Sequence, residues 1–595
     1  MNVKRKSLLV TTLLLAVGMF EARAQDVQTA LKALDAERFT AARTMFKQMG
    51  ASNSAEGQFY LGYYYLRTAN VDSTKRTAML DSAKMAFDKG VATDAKSALN
   101  LVGQGGVALG RKNLAEGKAK INQALDMSKS RDENVLWRAA EMYTLFERGG
   151  ATDPAEAIRL IDAIGGLKKK TLRPDYQIVK GDAFLIRNEG GNAVSAYEEA
   201  LRLNTDNSAS NLAKIQTRIG KVFKRGKNYV ETQKGFLNAI QADSNYAPVY
   251  QEFGELWLMA GDYKRAAQNY RKFLEKSEGT PEDRLRYAKF AFLSKDYANA
   301  VTQLDIIKGQ IKDTDINRMY GYSYVELNKP DLGVENLQQL LQALPEDKKL
   351  STDYGYLGRG YSMLEADSAG KVINDSLSLQ FLSKAAPADT NNNYFANIAE
   401  VKFKKKDYKG AAEAYKQSID WKEKKSDEKP SANDYFNVGR SYYFAYAMAP
   451  KESRDSTLLY PTDSAFAKTA ELVPEFAAAQ LWRARTNLYM DPTGAKEGAK
   501  PFYEKYIELQ KDTANAARRT ELAEANKRLA YYAQLKQDTQ KATEYFTKVR
   551  TYNPTDKDAE NFFNPPAPPA APARAKPTAG AKKPGAKPAP KKKIS

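Results

Sequence analysis

Apolar and small residues recur at intervals of three and four along most of this chain, the spacing that gathers side chains on one face of an α-helix. The periodic segments run for roughly a dozen residues and come in pairs. Between the members of a pair stand short turns such as GDY at Gly261–Tyr263 and KDY at Lys295–Tyr297 and Lys406–Tyr408. No alternating apolar–polar run competes, so no strands are expected. The stretch FGELWLMAGDYKRAAQNYRKFL, Phe253–Leu274, holds one complete pair. Gly254 and Ala266 are small enough to let two helix backbones approach, and Trp257, Tyr270 and Phe273 are large enough to fill the space opposite. These positions are read as packing, not chemistry.

Sliding that pattern by 34 residues reproduces it. One step back stand Gly220, Phe223, Thr232, Phe236 and Ala239; one step forward stand Ala288, Ala291, Lys295, Ala300, Leu304 and Ile307. A further step gives Gly321, Tyr324, Gly333, Leu337 and a closing Pro345. Looser copies carry Ala42 and Phe46, Gly62 and Phe87, Gly110 and Ile121, Gly181 and Tyr197, Gly358 and Phe381, Ala399 and Tyr415, Gly439 and Phe466, Ala484 and Tyr503, and Ala530 and Phe546. One helical hairpin cannot cover its own apolar face, so successive hairpins must stack.

With its 34-residue period, LG…Y marks, A-x3-F spacing and late proline, the pattern resembles the tetratricopeptide repeat from about Asp26 to Phe563. The segment LWRARTNLYMDP, Leu481–Pro492, further resembles envelope tetratricopeptide proteins of Bacteroidota. The resemblance implies an all-α fold, a right-handed superhelical solenoid of helical hairpins with a disordered basic C-terminal tail. The expected division is a leader over 1–24, degenerate repeats over 25–212, the best-matching repeats over 213–350, degenerate repeats with short insertions over 351–563, and a Pro/Ala/Lys tail over 564–595. The insertions, near Asn70–Thr77, Ala366–Asn374 and Ala447–Thr462, are too short for a further domain.

Composition narrows the function. The chain has no Cys and no His among 595 residues. That removes Cys/His zinc sites, Ser-His-Asp triads and Cys nucleophiles. Lys4, Arg5 and Lys6, the apolar run Leu8–Phe20 and Ala22-Arg23-Ala24 have the order of a Sec-type signal cleaved before Gln25. An exported, periplasmic or envelope-associated protein is expected, not a lipoprotein, since no Cys follows the signal. After cleavage no transmembrane segment is expected. Of the formal charge of +20, the leader carries +3 and Asn564–Ser595 carries +8, so the body is only mildly cationic. The tail is expected to stay unfolded, and its cations suit an anionic envelope surface. Nucleic acid, which an exported chain rarely meets, is not expected as a partner.

Local motifs add little. GQGGVALGRKN, Gly103–Asn113, imitates two phosphate loops, but it lacks the Gly-Lys-Ser/Thr of one and follows a helical pattern where both need a strand. Asp243–Glu255 has too few carboxylates for a calcium loop. No metal, cofactor or acid–base pair is expected. The carboxylate clamp of some tetratricopeptide proteins would use Lys214 and Arg218, but Trp137, Glu141 and Val179 stand where its other members belong.

Stepping by 100° per residue along the helix around Gly220 gathers Lys214, Arg218, Lys221 and Arg225 on one side, opposite the packing stripe. The family resemblance turns such first-helix faces toward a concave groove. The matching slots of later copies hold Glu255, Lys289, Tyr322, Arg359, Glu400 and Arg440, with Arg318, Tyr356 and Tyr443 close by. Tyr and Arg are enriched where proteins bind proteins. The expected function is a non-enzymatic scaffold or adaptor holding protein or peptide partners of acidic character. The rival is an envelope enzyme or cell-wall-polymer-binding protein using carboxylate, Tyr or Lys groups on the same frame.

Overall fold

The computed structural model describes residues 26–565, apart from 53, 169, 206, 207 and 426. The expected leader (1–24) and residues 566–595 of the expected tail lie outside them. Among the described residues every regular element is a helix. None of these helices is long and apolar enough to cross a membrane.

The turns inside the hairpins rest on two adjacent residues. The first takes the left-handed backbone that ends a helix: φ is +74° at Gly261, +64° at Lys295 and +63° at Lys406. The second begins the next helix by accepting a hydrogen bond from an N–H three residues on. Asp262 accepts from Arg265 at 2.9 Å, Asp296 from Asn299 at 3.3 Å and Asp407 from Gly410 at 3.0 Å. Lys112-Asn113 and Lys227-Asn228 repeat the device with Asn as the cap. Stop and start signals are therefore adjacent, and the chain reverses at once.

The small positions mark the crossing point of each hairpin. A Cβ placed on Gly220 would lie 2.5 Å from Phe236 Cε1, one on Gly254 2.6 Å from Tyr270 Cδ2, and one on Gly321 2.5 Å from Leu337 Cγ. The small residue and its ring or branched partner stand 16 residues apart each time. Gly103, Gly106 and Gly110 also lie against large side chains, Phe87, Met142 and Phe146, but these belong to the neighbouring hairpins. The three glycines sit in the helix Ala98–Gly110, so GQGGVALGRKN is a packing face and no phosphate loop.

Contacts divide the chain into two units at Ala385–Ala386. In the first, helix 26–35 pairs with Phe39–Ala51, and the hairpins continue from Ala55–Val71 with Arg76–Thr93 through Ser351–Met363 with Ser368–Ala385. First helices also touch first helices: Ala55–Val71 packs on Ala98–Gly110, and that helix packs on Glu133–Leu145. In the second unit the pairs are Phe395–Lys404 with Tyr408–Glu423, Ala432–Ala447 with Leu459–Leu472, Ala477–Met490 with Lys500–Leu509 and Ala516–Leu535 with Thr539–Tyr552, ending on Lys557–Phe563. The division falls inside the segment 351–563 that sequence treats as one block. Loss of repeat regularity after 350 and a drop in contact density are different properties. Of the three insertions, Asn70–Thr77 folds around a single 3₁₀ turn, Ser73–Lys75. Ala447–Thr462 makes two such turns before Leu459 starts a helix, and most of Ala366–Asn374 lengthens the second helix of its hairpin.

Ala266 is fully buried, and its carbonyl oxygen is 3.3 Å from a Cβ on Gly254. Ala266→Leu is expected to cost roughly 1–3 kcal/mol by overpacking this crossing. Thermal unfolding checks it; an unchanged midpoint would show that the crossing has room.

Candidate functional site

In the first unit the chain meets itself after many hairpins. The helix Phe39–Ala51 begins after Arg38, which supplies no side-chain cap. Its cap comes instead from Glu278, which accepts from Thr40 N at 2.6 Å and Thr40 Oγ1 at 2.8 Å. Glu278 N donates to the Glu37 carbonyl at 3.2 Å, and Ser73 Oγ donates to Glu282. This contact closes the first helices around a cavity of about 940 Å³.

Lys214, Arg218, Lys221 and Arg225 all line that cavity, as the helical stepping predicts. What they do there differs from expectation. Lys214 pairs with Asp35 at 2.9 Å and Arg218 with Asp182 at 2.8 Å. Lys221 pairs with Glu252 at 3.2 Å, and Arg225 with Glu147 at 2.6 Å. The lining holds eleven basic and ten acidic side chains, so the cavity is nearly neutral and not a basic groove. Alternation explains this: the slot that holds Lys221 holds Asp182 one copy earlier and Glu255 one copy later. Extending the slot series back to Asp182 would have exposed the pairing.

A recurrent clamp results. Asp182 accepts from Tyr197 OH (2.6 Å) and Arg218 Nε (2.8 Å). Glu255 accepts from Tyr270 OH (2.9 Å) and Arg286 Nη2 (2.6 Å). In each case the carboxylate ties its own hairpin's second helix to the first helix of the next. Burial disfavours the charge on Asp35, yet Lys214 and Arg67 hold its carboxyl well below the usual range. Asp182 is lowered in the same way, burial being outweighed by Arg218.

Glu252 offers a pH test. Burial opposes its ionisation, but Lys221 and Lys224 outweigh it and hold the carboxyl down from 4.5 to about 2. The unfolded chain takes up this proton near 4.5 and the folded chain only near 2, so the stabilisation is full above 4.5 and is lost as pH falls toward 2. Glu252→Gln is expected to flatten the acid limb of the unfolding curve across that window. A limb identical to the parent's would refute the assignment.

Lys289, Arg318, Tyr322, Tyr356 and Arg359 lie in later hairpins of the first unit, outside this cavity. Lys289 pairs with Asp313 at 3.0 Å. Arg318 Nε and Tyr322 OH both donate to Asp353 Oδ1, at 2.8 and 2.7 Å. Tyr356 OH and Arg359 share Glu326 at 2.9 and 2.8 Å, and the rings of Tyr322 and Tyr356 stack at 4.0 Å.

Arg440 and Tyr443 belong to the second unit, on Ala432–Ala447. Arg440 lies over the Phe403 ring at 4.6 Å, and Tyr443 meets Trp482 edge-on at 4.9 Å. Phe444 and Tyr489 complete a half-buried aromatic face with them. Among the described residues Arg440 makes no ion pair, and its Nε is buried with no hydrogen-bond partner. Also among the described residues, no three His, Cys, Asp or Glu side chains converge to hold a metal.

Residues 393–425 match the family model described as tetratricopeptide repeat. No curated protein matches the sequence. Among solved structures, the chain is similar to the C-terminal part of a TPR repeat-containing protein from Cytophaga hutchinsonii, at 27% identity over 47% of this chain and 98% of that one, with a TM-score of 0.37. It is similar to a tetratricopeptide repeat protein from Parabacteroides merdae at 14% identity, covering 45% and 98%, with a TM-score of 0.27. It is also similar to the APC/C hetero-tetramer Cut9–Hcn1 at 12% identity, covering 79% and 96%, with a TM-score of 0.29. The matched segment contains the hairpin Phe395–Lys404 with Tyr408–Glu423 and its KDY turn. The same small–large crossing and capped turn recur in hairpin after hairpin, so the described residues have the all-α, tetratricopeptide-like hairpin fold of which residues 393–425 are the matched repeat.

Proposed function

We propose that this chain is an exported, non-enzymatic scaffold that holds a protein partner on the aromatic face of its second unit. The observation that carries the reading is Arg440. Of the cations that sequence assigns to the groove, Lys214, Arg218, Lys221, Arg225, Lys289, Arg318 and Arg359 already hold carboxylates of this chain. Arg440 does not; it lies over the half-buried Phe403 ring, which meets Phe444 at 5.8 Å, and Phe444 in turn meets Tyr443 and Trp482. Tyr, Trp and Arg are the side chains that dominate protein interfaces. A partner segment bringing one carboxylate to Arg440 and apolar side chains to the rings fits this face. The acidic character expected of the partner is thereby confined to this place, because the cavity of the first unit is neutralised from within.

The test is recovery of crosslinked partners from envelopes by the full chain and by an Arg440→Ala, Tyr443→Ala double variant shown by circular dichroism to stay folded. Loss of the partner is expected. Undiminished recovery would discard the face. Export is tested separately: the envelope-fraction protein should begin at Gln25, and a membrane-anchored chain beginning at Met1 would refute cleavage. A chain ending at Phe563 should bind anionic vesicles more weakly at low salt than the full chain; equal binding would remove any role for the tail.

A further inference from the structure

The first hairpins and the segment Glu278–Asp283 meet along a polar seam. Thr40 donates twice to the Glu278 carboxylate, at 2.6 and 2.8 Å, Glu278 N donates to the Glu37 carbonyl at 3.2 Å, and Ser73 donates to Glu282. Among the described residues the buried apolar side chains do not bridge it: one core cluster runs from Ala30 to Ala183 and a separate one from Ala213 to Ala300. Apolar burial therefore does little to hold the seam, and a contact of this kind opens more readily than a packed core.

The seam also gathers acids. On one side stands Glu37, whose Oε2 is buried with no hydrogen-bond partner. On the other stand Glu278, Glu282 and Asp283. Glu282 Oε2 is likewise buried and unpartnered. The hydrogen bonds that Asp283 accepts come from neutral donors: Thr280 N and Oγ1 at 2.8 Å each, and Gln251 Nε2 at 2.8 Å. The neighbouring cations are engaged elsewhere. Arg67 donates to Tyr63 OH and to Asp35, both at 2.9 Å, and Lys214 pairs with Asp35. Arg76 is held by the carbonyls of Ala69, Arg148 and Gly149, and Arg284 by Gln303 and the Glu278 carbonyl. Arg38, next in sequence, is exposed. Tyr246 feels the Glu37 charge, but burial before all else pushes its phenol up and keeps it neutral.

We propose that this seam is a proton-operated latch: while Glu37 is neutral the first hairpins stay joined to Glu278–Asp283, and its ionisation, facing Asp283 and away from water, parts them and widens the cavity. Burial, and after it Asp283, push the Glu37 carboxyl from 4.5 up to about 8, with Arg67 opposing. In the parted chain water reaches this carboxyl and its ordinary value returns. The joined chain thus keeps a proton that the parted chain releases. The latch is at full strength below 4.5, weakens as pH rises and is lost through about 8. Asp283 is raised as well, by burial first, and acts in the same sense. Asp35 does not follow, because Lys214 and Arg67 hold it ionised across this range. Its bond to Lys214 stays intact as the Glu37 edge parts. The latch lies within the first unit and does not depend on the aromatic face of the second.

The chain has no Cys, so Thr44→Cys with Glu275→Cys, exposed positions on the two sides of the seam, place two spin labels and no others. Double electron–electron resonance on the full chain is expected to give one narrow, short distance at pH 5 and a longer, broader one at pH 9. The change should reverse on return to pH 5, with circular dichroism unchanged throughout. From the difference between 4.5 and about 8, the ratio of parted to joined chain should rise roughly 10²–10³-fold over that interval. Glu37→Gln keeps the size and cannot ionise, so its labels should stay close at both pH values. A Glu37→Gln chain that lengthens as the parent does would overturn the latch. So would a parent distance that is the same at pH 5 and pH 9, a result that needs no substitution at Glu37 and stands whether or not that variant folds.

Discussion

Asp353→Ala is expected to cost about 3–5 kcal/mol, the range for removing one partner of a buried ion pair. Asp353 is fully buried and accepts four hydrogen bonds from three groups. It takes both Arg318 Nε at 2.8 Å and Arg318 Nη2 at 3.1 Å. It also accepts from Tyr322 OH at 2.7 Å and Leu350 N at 2.9 Å. The substitution leaves a guanidinium, a phenol and a helix-starting N–H short of an acceptor at once. Asp353→Asn keeps the shape but loses the charge and one of the two acceptor oxygens; the remaining oxygen can still serve one of the two donor pairs, so it should cost less than Ala. Because repeat arrays open locally, the damage should appear first as faster hydrogen exchange in Asp315–Glu326 and Ser351–Met363. Exchange and denaturation within about 0.5 kcal/mol of the parent would mean that the hub contributes no more than a surface pair.

Phe236→Ala is expected to cost roughly 3–5 kcal/mol, as for other buried Phe truncations. The ring is fully buried, meets Phe253 edge-on at 5.7 Å and fills the space that Gly220 leaves open. Gly220 has no side chain with which to close the hole. The pairing makes a stricter test possible. Gly220→Leu alone should also destabilise, since its Cβ would sit 2.5 Å from Phe236 Cε1. Combined with Phe236→Ala, the new leucine occupies the vacated space, and part of the loss should return. A double variant whose loss equals the sum of the single losses would show that the two positions do not share one space.

The same pair shows why the fold was legible in the sequence. The small residue, its partner 16 positions on and the intervening turn all lie within one hairpin. Each is set by backbone geometry and by side-chain size over short separations. Gly254 with Tyr270, and Lys406-Asp407 as stop and start of two helices, are legible in the sequence alone. The groove was legible only in part. The 100° stepping put Lys214, Arg218, Lys221 and Arg225 on one face correctly. It could not say what stood across from them, because a helical wheel holds one helix and these charges are answered by others.

What the sequence determined by itself is the local unit: where helices start and stop, which residues cross, and that no Cys or His chemistry is available. The tertiary structure alone decided how the units meet. Asp35 reaches Lys214 across 179 positions and Thr40 reaches Glu278 across 238, and no periodic pattern links such residues. Their meeting follows from the small rotation each hairpin adds to the last, summed over the stack. That sum converts an expected basic groove into a partly open, charge-balanced cavity in the first unit. It also leaves Trp137 Nε1 and Glu37 Oε2 unpartnered, since burial removes them from water and the packing around them supplies no partner.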